Sequence, residues 1–229
     1  MKKLSIGINI ILAAALLAGT VMYQVVGGRT VHYSTSGIFV LMGVVNLCLA
    51  VVNHTKNLKF YAVMAAGLFL CMMGDILLGK DFVIGAATFA SGHVCYFVSY
   101  CFLHKLRKTD FVIGGVIFAA AGAFLMFFPL LTFSAAYMQW VCLAYALIIS
   151  MMVGKAVSNY LVEKTGARLL LAIGSAMFFF SDLMLVFNWF MDTGKITGKL
   201  CMATYFPAQG ILAVGMLVLL LSQQKGKKS

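Results

Sequence analysis

The sequence predicts an all-α fold, a polytopic integral membrane bundle of eight transmembrane helices. Hydrophobic residues make up 63% of the 229-residue chain and charged residues 10%, with a mean hydropathy of +1.02, which is too apolar for a soluble domain. Apolar runs recur eight times, each close to the roughly 20 residues that a helix needs to cross a bilayer. The loops between them are short, so we expect one transmembrane domain over residues 1–229.

Each apolar run is continuous rather than alternating, which favours helices over a β-barrel because a helix satisfies its own backbone hydrogen bonds in lipid. The first run follows Lys2 and Lys3, as in a cleaved signal peptide, but its apolar pattern continues to Val26. We therefore predict an uncleaved helix there. The predicted spans are residues 4–26, 34–52, 60–78, 83–103, 111–128, 134–154, 169–190 and 200–222.

Basic residues are distributed unequally between the two membrane faces. The side of the N-terminus carries 13 of the 17 Lys and Arg residues, and the other side carries Arg29, Lys80, Lys195 and Lys199. This split follows the positive-inside rule and predicts that both termini are cytoplasmic, in the cell membrane if the source is bacterial. Because topology accounts for the net charge of +11, we expect no nucleic-acid partner.

Metal and cofactor chemistry has little support in the sequence. The six cysteines mostly lie in apolar runs without CxxC spacing, which is typical of packing thiols rather than of disulfide or zinc frameworks. His32, His54 and His104 fall in predicted loops or span ends, which leaves His93 as the one histidine inside a span. A three-histidine metal site is therefore not expected, and we predict no metal and no cofactor.

Two aspartates interrupt apolar spans, where a charge costs at least about 2.5–3.5 kcal/mol. Asp75 lies about 4.5 Å from the end of the third span and Asp182 about 12 Å from the end of the seventh, at 1.5 Å per residue. With no Lys or Arg expected inside the spans, desolvation should leave one carboxyl protonated beside an ionised or hydrogen-bonded one. Such a pair suits general acid and base catalysis, although Asp75 could also be an interfacial acid at a helix end.

Five further polar residues fall at a similar depth. His93 and Tyr96 share one face of the fourth span, Tyr205 and Gln209 share one face of the eighth, and Asn188 follows Asp182 in the seventh. Alternating span directions place them all in the non-cytoplasmic half or near the midplane, which predicts one polar cavity. The alternative at each position is an interhelical hydrogen bond or an ordinary packing contact.

Four short blocks, in this order and spacing, resemble the YhhN-like integral membrane proteins, which include lysoplasmalogenases. They are "GDILL" (74–78), "GHVCY" (92–96), "SDLMLVFNWF" (181–190) and "TYFPAQ" (204–209). The resemblance implies a hydrolase that cleaves the vinyl (alkenyl) ether of lysoplasmalogen, a single-chain phospholipid, to a fatty aldehyde and a glycerophospho-alcohol. It implies catalytic roles for Asp75 and Asp182, no cofactor, and supporting roles for the other five polar residues, which are His93, Tyr96, Asn188, Tyr205 and Gln209.

Two positions depart from the family pattern as we know it. Family members often begin the second span with Lys-Pro, where this chain reads "STSGIF" (34–39), and often carry a basic residue where this chain has Trp189. If those cations contact the lipid phosphate, either the head-group preference here differs from that of other members or the substrate is another lipid.

Two other classes of function stay open on the sequence alone. In a proton-coupled transporter, Asp75 and Asp182 would be relay acids, and the likeness of "GDILL" to "SDLML" four spans later would reflect a parallel four-plus-four repeat. In a structural scaffold, the polar residues would have no site to serve. A metal-dependent lipid hydrolase, similar to alkaline ceramidases, would need several intramembrane histidines.

Overall fold

The computed structural model describes residues 2–225, which fold into eight α-helices and no strand. They are α1 (Lys2–Val25), α2 (Arg29–Val52), α3 (Leu58–Leu78), α4 (Phe82–Leu103), α5 (Lys108–Phe127), α6 (Ala136–Val162), α7 (Gly166–Phe190) and α8 (Ile196–Lys225). All eight are long and apolar enough to cross a membrane, which confirms the predicted fold class and a multi-pass integral membrane protein. Cytoplasmic termini stay a prediction, and Lys227 and Lys228, which contribute to it, lie outside the described residues.

Two helices extend five or more residues beyond a predicted end. α2 begins five residues before the predicted residue 34, and α6 continues eight residues past the predicted residue 154. In both cases the added turns carry polar or charged residues, His32 in α2 and Lys155 in α6, which a hydropathy criterion assigns to loops. Both side chains have buried acidic neighbours inside the bundle, so a helical position at this depth is tolerated.

Lys155 forms a buried ion pair between α5 and α6. Its Nζ donates to Asp110 Oδ2 at 2.8 Å and to the carbonyl of Lys105 at 2.9 Å, and its side chain is fully buried. The expectation that every Lys and Arg maps to a loop or span end is therefore wrong. The sequence shows the charge, but it does not show that Asp110 on the preceding helix satisfies it.

Glycines allow α3 and α4 to approach closely. A Cβ atom on Gly74 would lie 2.7 Å from the ring of Phe89, and one on Gly92 would lie 2.7 Å from Cys71 Sγ. Small residues at such positions let membrane helices pack backbone to backbone. The glycines that open "GDILL" and "GHVCY" thus have a packing role, which aligns the helices carrying Asp75 and His93.

The remaining helices arrange around this pair and a second close pair, α7 with α8. α2 packs against α1, α3 and α8, while α6 packs against α4, α5 and α7. α5 packs against α6 and makes no comparable contact with another described helix. Pro207 lies inside α8 without ending it, since the helix continues to Lys225. The result is a bundle whose core residues come mainly from α2, α3, α4, α6, α7 and α8.

Candidate active site

Asp75 lies in the last turn of α3 and is surrounded by polar side chains from two other helices. Tyr205 of α8 donates its hydroxyl to Asp75 Oδ2 at 3.0 Å, and the Ser36 hydroxyl of α2 donates to the same oxygen. His32, also from α2, places Nε2 3.2 Å from Asp75 Oδ1. The carboxyl group is 2% exposed, so these three partners replace most of its contact with water.

The position of His32 corrects the expectation that His93 is the one histidine inside a span. His32 lies in the first turn of α2, its side chain is 17% exposed, and the rings of Tyr23 and Phe206 pack edge-on against its imidazole. The apolar run begins at Ser34 in the sequence, so hydropathy places His32 outside the membrane. The imidazole is accommodated there because Asp75 faces it from the neighbouring helix.

Asp182 lies two turns inside α7 and has its own histidine and tyrosine. The Tyr145 hydroxyl of α6 donates to Asp182 Oδ2 at 2.6 Å, and His93 Nε2 of α4 lies 3.1 Å from the same oxygen and 2.7 Å from the tyrosine oxygen. His93 is fully buried, with the Phe178 ring 4.5 Å away between centroids. The three polar groups form a closed triangle on three different helices.

Sequence reasoning missed Tyr145 and Ser36, as well as His32. Tyrosine and serine are common in transmembrane helices as interface or packing residues. Tyr145 stands alone in an apolar run, and Ser36 belongs to the polar run at the start of the second predicted span. The only feature that distinguishes them is their contact with a carboxylate on another helix, and a single sequence does not show that contact.

Both carboxylates line one cavity of about 210 Å³, which we call the polar cavity. The cavity includes Arg29, the first residue of α2, and Gly79, the first residue after α3, so it extends to the end of the bundle. Asn188 and Tyr205 also line it. Four of the seven predicted site residues therefore share this space, and His93 contacts it through Asp182.

Tyr96 and Gln209 lie elsewhere. The Tyr96 hydroxyl donates to Gln209 Oε1 at 2.7 Å, both residues are fully buried, and neither lines the polar cavity. The centroid of the Tyr96 ring lies 6.4 Å from that of the His93 ring. This pair thus links α4 to α8 behind the histidine rather than facing the same space as the aspartates.

A second cavity, of about 60 Å³, adjoins the first, and we call it the apolar slot. Residues of α4, α5, α6 and α7 line it, and Asp182 and Tyr145 are its main polar groups. Leu78, Phe89, Asp182 and Leu185 line both cavities, and we call these four residues the partition. The partition places Asp182 between a polar space and an apolar one.

The sequence model of the YhhN family matches residues 35–216, from the first turns of α2 to the middle of α8. The chain belongs to the YhhN family. Comparisons with curated proteins and with solved structures gave no match. The YhhN region contains both aspartates and all five companion residues, as well as Tyr145 and Ser36. Arg29 and His32 precede it by a few residues, although both line the same cavity as Asp75.

The YhhN site has the groups for proton transfer in an environment with little water. Each carboxylate has hydroxyl and imidazole neighbours that can stabilise either its ionised or its protonated form. Within residues 2–225, no group of three or more His, Cys, Asp or Glu side chains is placed to hold a metal ion. The described residues that can do chemistry here are thus two Asp–His–Tyr clusters that meet one cavity.

Proposed function

We propose that this YhhN-family protein is a lysoplasmalogenase-like hydrolase, which cleaves the vinyl ether of a single-chain ether phospholipid. The observation that supports this most strongly is the pair of buried carboxylates, Asp75 and Asp182, on one cavity of about 210 Å³. A vinyl ether is hydrolysed by protonation at carbon, which forms an oxocarbenium-like cation that water then attacks. Two carboxylates in distinct surroundings are suited to these two steps, as in glycoside hydrolysis.

In the proposed mechanism, Asp182 is the general acid. It transfers its proton to the alkenyl carbon, while Tyr145 and His93 hold its carboxyl group in place through Oδ2. Asp182 is the deeper of the two aspartates, about 12 Å from the end of α7 against about 4.5 Å for Asp75 in α3. This deeper position in the bundle is the reason for assigning the acid role to Asp182 rather than to Asp75.

Asp75 then stabilises the cation and accepts a proton from the attacking water. The hemiacetal that results collapses to a fatty aldehyde and a glycerophospho-alcohol. Asp75 then releases the proton it accepted into the cavity and Asp182 takes one up, so both carboxyl groups return to their starting states. Water is the only co-reactant, so the reaction uses no cofactor. Tyr205 and His32 orient Asp75, and Asn188 is placed to contact the polar head near the cavity mouth.

The decisive experiment measures aldehyde release from lysoplasmalogen by purified protein in detergent. Asp182→Asn should lower turnover by about 10²–10⁴-fold, the usual contribution of a general acid. Asp81→Asn is the matched control, because Asp81 caps α4 at the same end of the bundle and asparagine caps a helix equally well. The control should keep wild-type turnover.

Two results would contradict the proposal in different ways. Full turnover by Asp182→Asn would remove Asp182 from the acid role. An intact wild-type protein that releases no aldehyde from any of several head-group variants would instead favour the proton-coupled transporter, in which both aspartates are relay acids. Proton uptake into vesicles containing the protein would then be the next measurement.

A further inference from the structure

The apolar slot has no role in proton transfer, yet it lies directly beside the proposed acid. Its walls come from Phe82 of α4, Ala121 of α5, Ala146 and Ile149 of α6 and Val186 of α7. An apolar space of this kind is filled by an apolar ligand rather than by water. The slot therefore points to a hydrocarbon group held next to Asp182.

The partition determines how such a ligand lies. Leu78, Phe89 and Leu185 separate the slot from the polar cavity, and Asp182 faces both spaces. A ligand that fills both cavities must therefore be apolar on one side of Asp182 and polar on the other. An amphiphile with its reactive bond between head and chain has this form.

The volume of the slot limits it to one chain. A cavity needs about 10–15 Å³ of volume to hold one water-sized group. The slot, at about 60 Å³, thus has room for about four or five methylene groups in a row. A second chain does not fit, and the outer part of a long chain must extend towards the membrane past α5, whose one extensive contact with a described helix is with α6.

Charge indicates the chemistry of the head. Arg29 is the one Lys or Arg among the described residues that line the polar cavity, and it lies at the cavity's outer end. A guanidinium group binds phosphate in a bidentate geometry that few other side chains provide. Arg29 precedes the matched YhhN region by six residues.

We propose that the apolar slot binds the hydrocarbon chain of a single-chain phospholipid whose phosphate lies beside Arg29. This assignment deepens the proposed function and depends on it for the bond that lies at Asp182. Ala121 is then a residue that determines specificity, because a larger side chain at this position fills the slot from the α5 side.

The test uses a probe that binds without being cleaved. The probe is a lysophospholipid with a saturated alkyl ether chain, which has no vinyl bond, and with a diazirine on its fourth chain carbon. Purified full-length protein in nanodiscs is irradiated with the probe, and the labelled residues are mapped by mass spectrometry. We expect labels on residues 121–125 and 141–149, which form the α5 and α6 walls.

The variants compare neighbouring positions on α5. Ala121→Phe should lower labelling of these walls at least tenfold, whereas Ala120→Phe, which changes an exposed position next to it, should not. Thermal unfolding of both variants in detergent checks that each is folded.

Arg29→Gln tests the phosphate contact by competition. It should raise about tenfold the concentration of unlabelled lysophospholipid that is needed to displace the probe. Displacement of the probe by the phosphate-free monoalkylglycerol should stay unchanged.

The slot assignment is overturned if labels fall on the exposed face of α5 and are equal in both alanine variants. It is also overturned if a diacyl phospholipid competes as well as the lysophospholipid, because the slot is then an ordinary contact with bulk lipid. Labelling in the slot without aldehyde release from lysoplasmalogen would contradict the hydrolase and leave the chain site intact. Aldehyde release without labelling in the slot would support the hydrolase and contradict the chain site.

Discussion

The two aspartates share a pattern of partners at the level of single residues. Asp75 has His32 and Tyr205, and Asp182 has His93 and Tyr145, so each carboxylate faces one imidazole and one phenol from other helices. Burying an unpartnered carboxylate costs several kcal/mol, and these neighbours offset that cost. The pattern explains how two acids persist inside an apolar bundle although no Lys or Arg of residues 2–225 forms an ion pair with either.

Tyr145 provides a direct test of this arrangement. Tyr145→Phe removes the hydroxyl that donates to Asp182 Oδ2 at 2.6 Å and changes little else. Because a hydrogen bond to the carboxylate that forms as Asp182 gives up its proton contributes about 1.5–3 kcal/mol, we expect turnover to fall by about tenfold to a hundredfold. Tyr137→Phe is the control, since Tyr137 lies on the same helix and is 57% exposed. Equal turnover in the two variants would show that Tyr145 does not support the acid.

At the residue level, the sequence points to the polar cavity where a polar side chain interrupts an apolar run. Asp75, Asp182 and Tyr205 were identified in this way, and all three line the polar cavity. It did not find Tyr145, because its hydroxyl acquires a partner only through the packing of α6 against α7. It also missed His32, because the position of a helix end depends on a neighbour that is distant in the sequence.

The helices themselves were predictable in number and approximate extent, because the cost of burying unpaired backbone groups in lipid leaves few alternatives. Which helices pack against each other was not predictable from the sequence. That α5 packs against α6 depends on Gly114 and Gly154, which bring the two backbones together, and on the Lys155–Asp110 ion pair. Nothing in a hydropathy profile distinguishes these glycines from the others in the chain.

The α5–α6 contact gives a prediction about stability. A Cβ atom on Gly154 would lie 2.5 Å from the backbone nitrogen of Gly114 and 2.8 Å from the carbonyl oxygen of Asp110, and backbone atoms cannot move aside easily. Gly154→Ala should therefore lower the free energy of unfolding by about 1–3 kcal/mol, despite the higher helix propensity of alanine. The measurement is thermal unfolding in detergent.

Gly115→Ala is the matched control for that prediction. Gly115 lies in α5 beside Gly114, and a Cβ atom there would meet nothing within 4 Å. This variant should be as stable as the wild type or slightly more stable. If Gly154→Ala unfolds at the same temperature as the control, the two backbones are not as close as described.

On the scale of the whole molecule, the polar cavity and the apolar slot lie in the same half of the bundle. Asp75 and Asp182 are near the C-terminal ends of α3 and α7, and Phe82 begins α4. This half contains the ends of α1, α3, α5 and α7. The positive-inside rule places these ends on the non-cytoplasmic side, so the site should open away from the cytoplasm.

Reporter fusions test this orientation. In bacterial expression, green fluorescent protein fused after Ser229 or after Lys56 should fluoresce, and alkaline phosphatase at the same positions should be inactive. Fusions after Lys80, in the loop between α3 and α4, should give the opposite pair of results. The inverse pattern at all three positions would place the termini outside and the polar cavity towards the cytoplasm.

The partition has a consequence for what happens after the proposed reaction. When the bond at Asp182 breaks, the glycerophospho-alcohol is left in a cavity that extends to the end of the bundle, and the fatty aldehyde is left on the other side of Leu78, Phe89 and Leu185. One product is water-soluble and the other dissolves in lipid. If the proposed reaction takes place, we expect the two products to depart by separate exits, the first into the aqueous phase and the second into the bilayer, so that neither has to wait for the other.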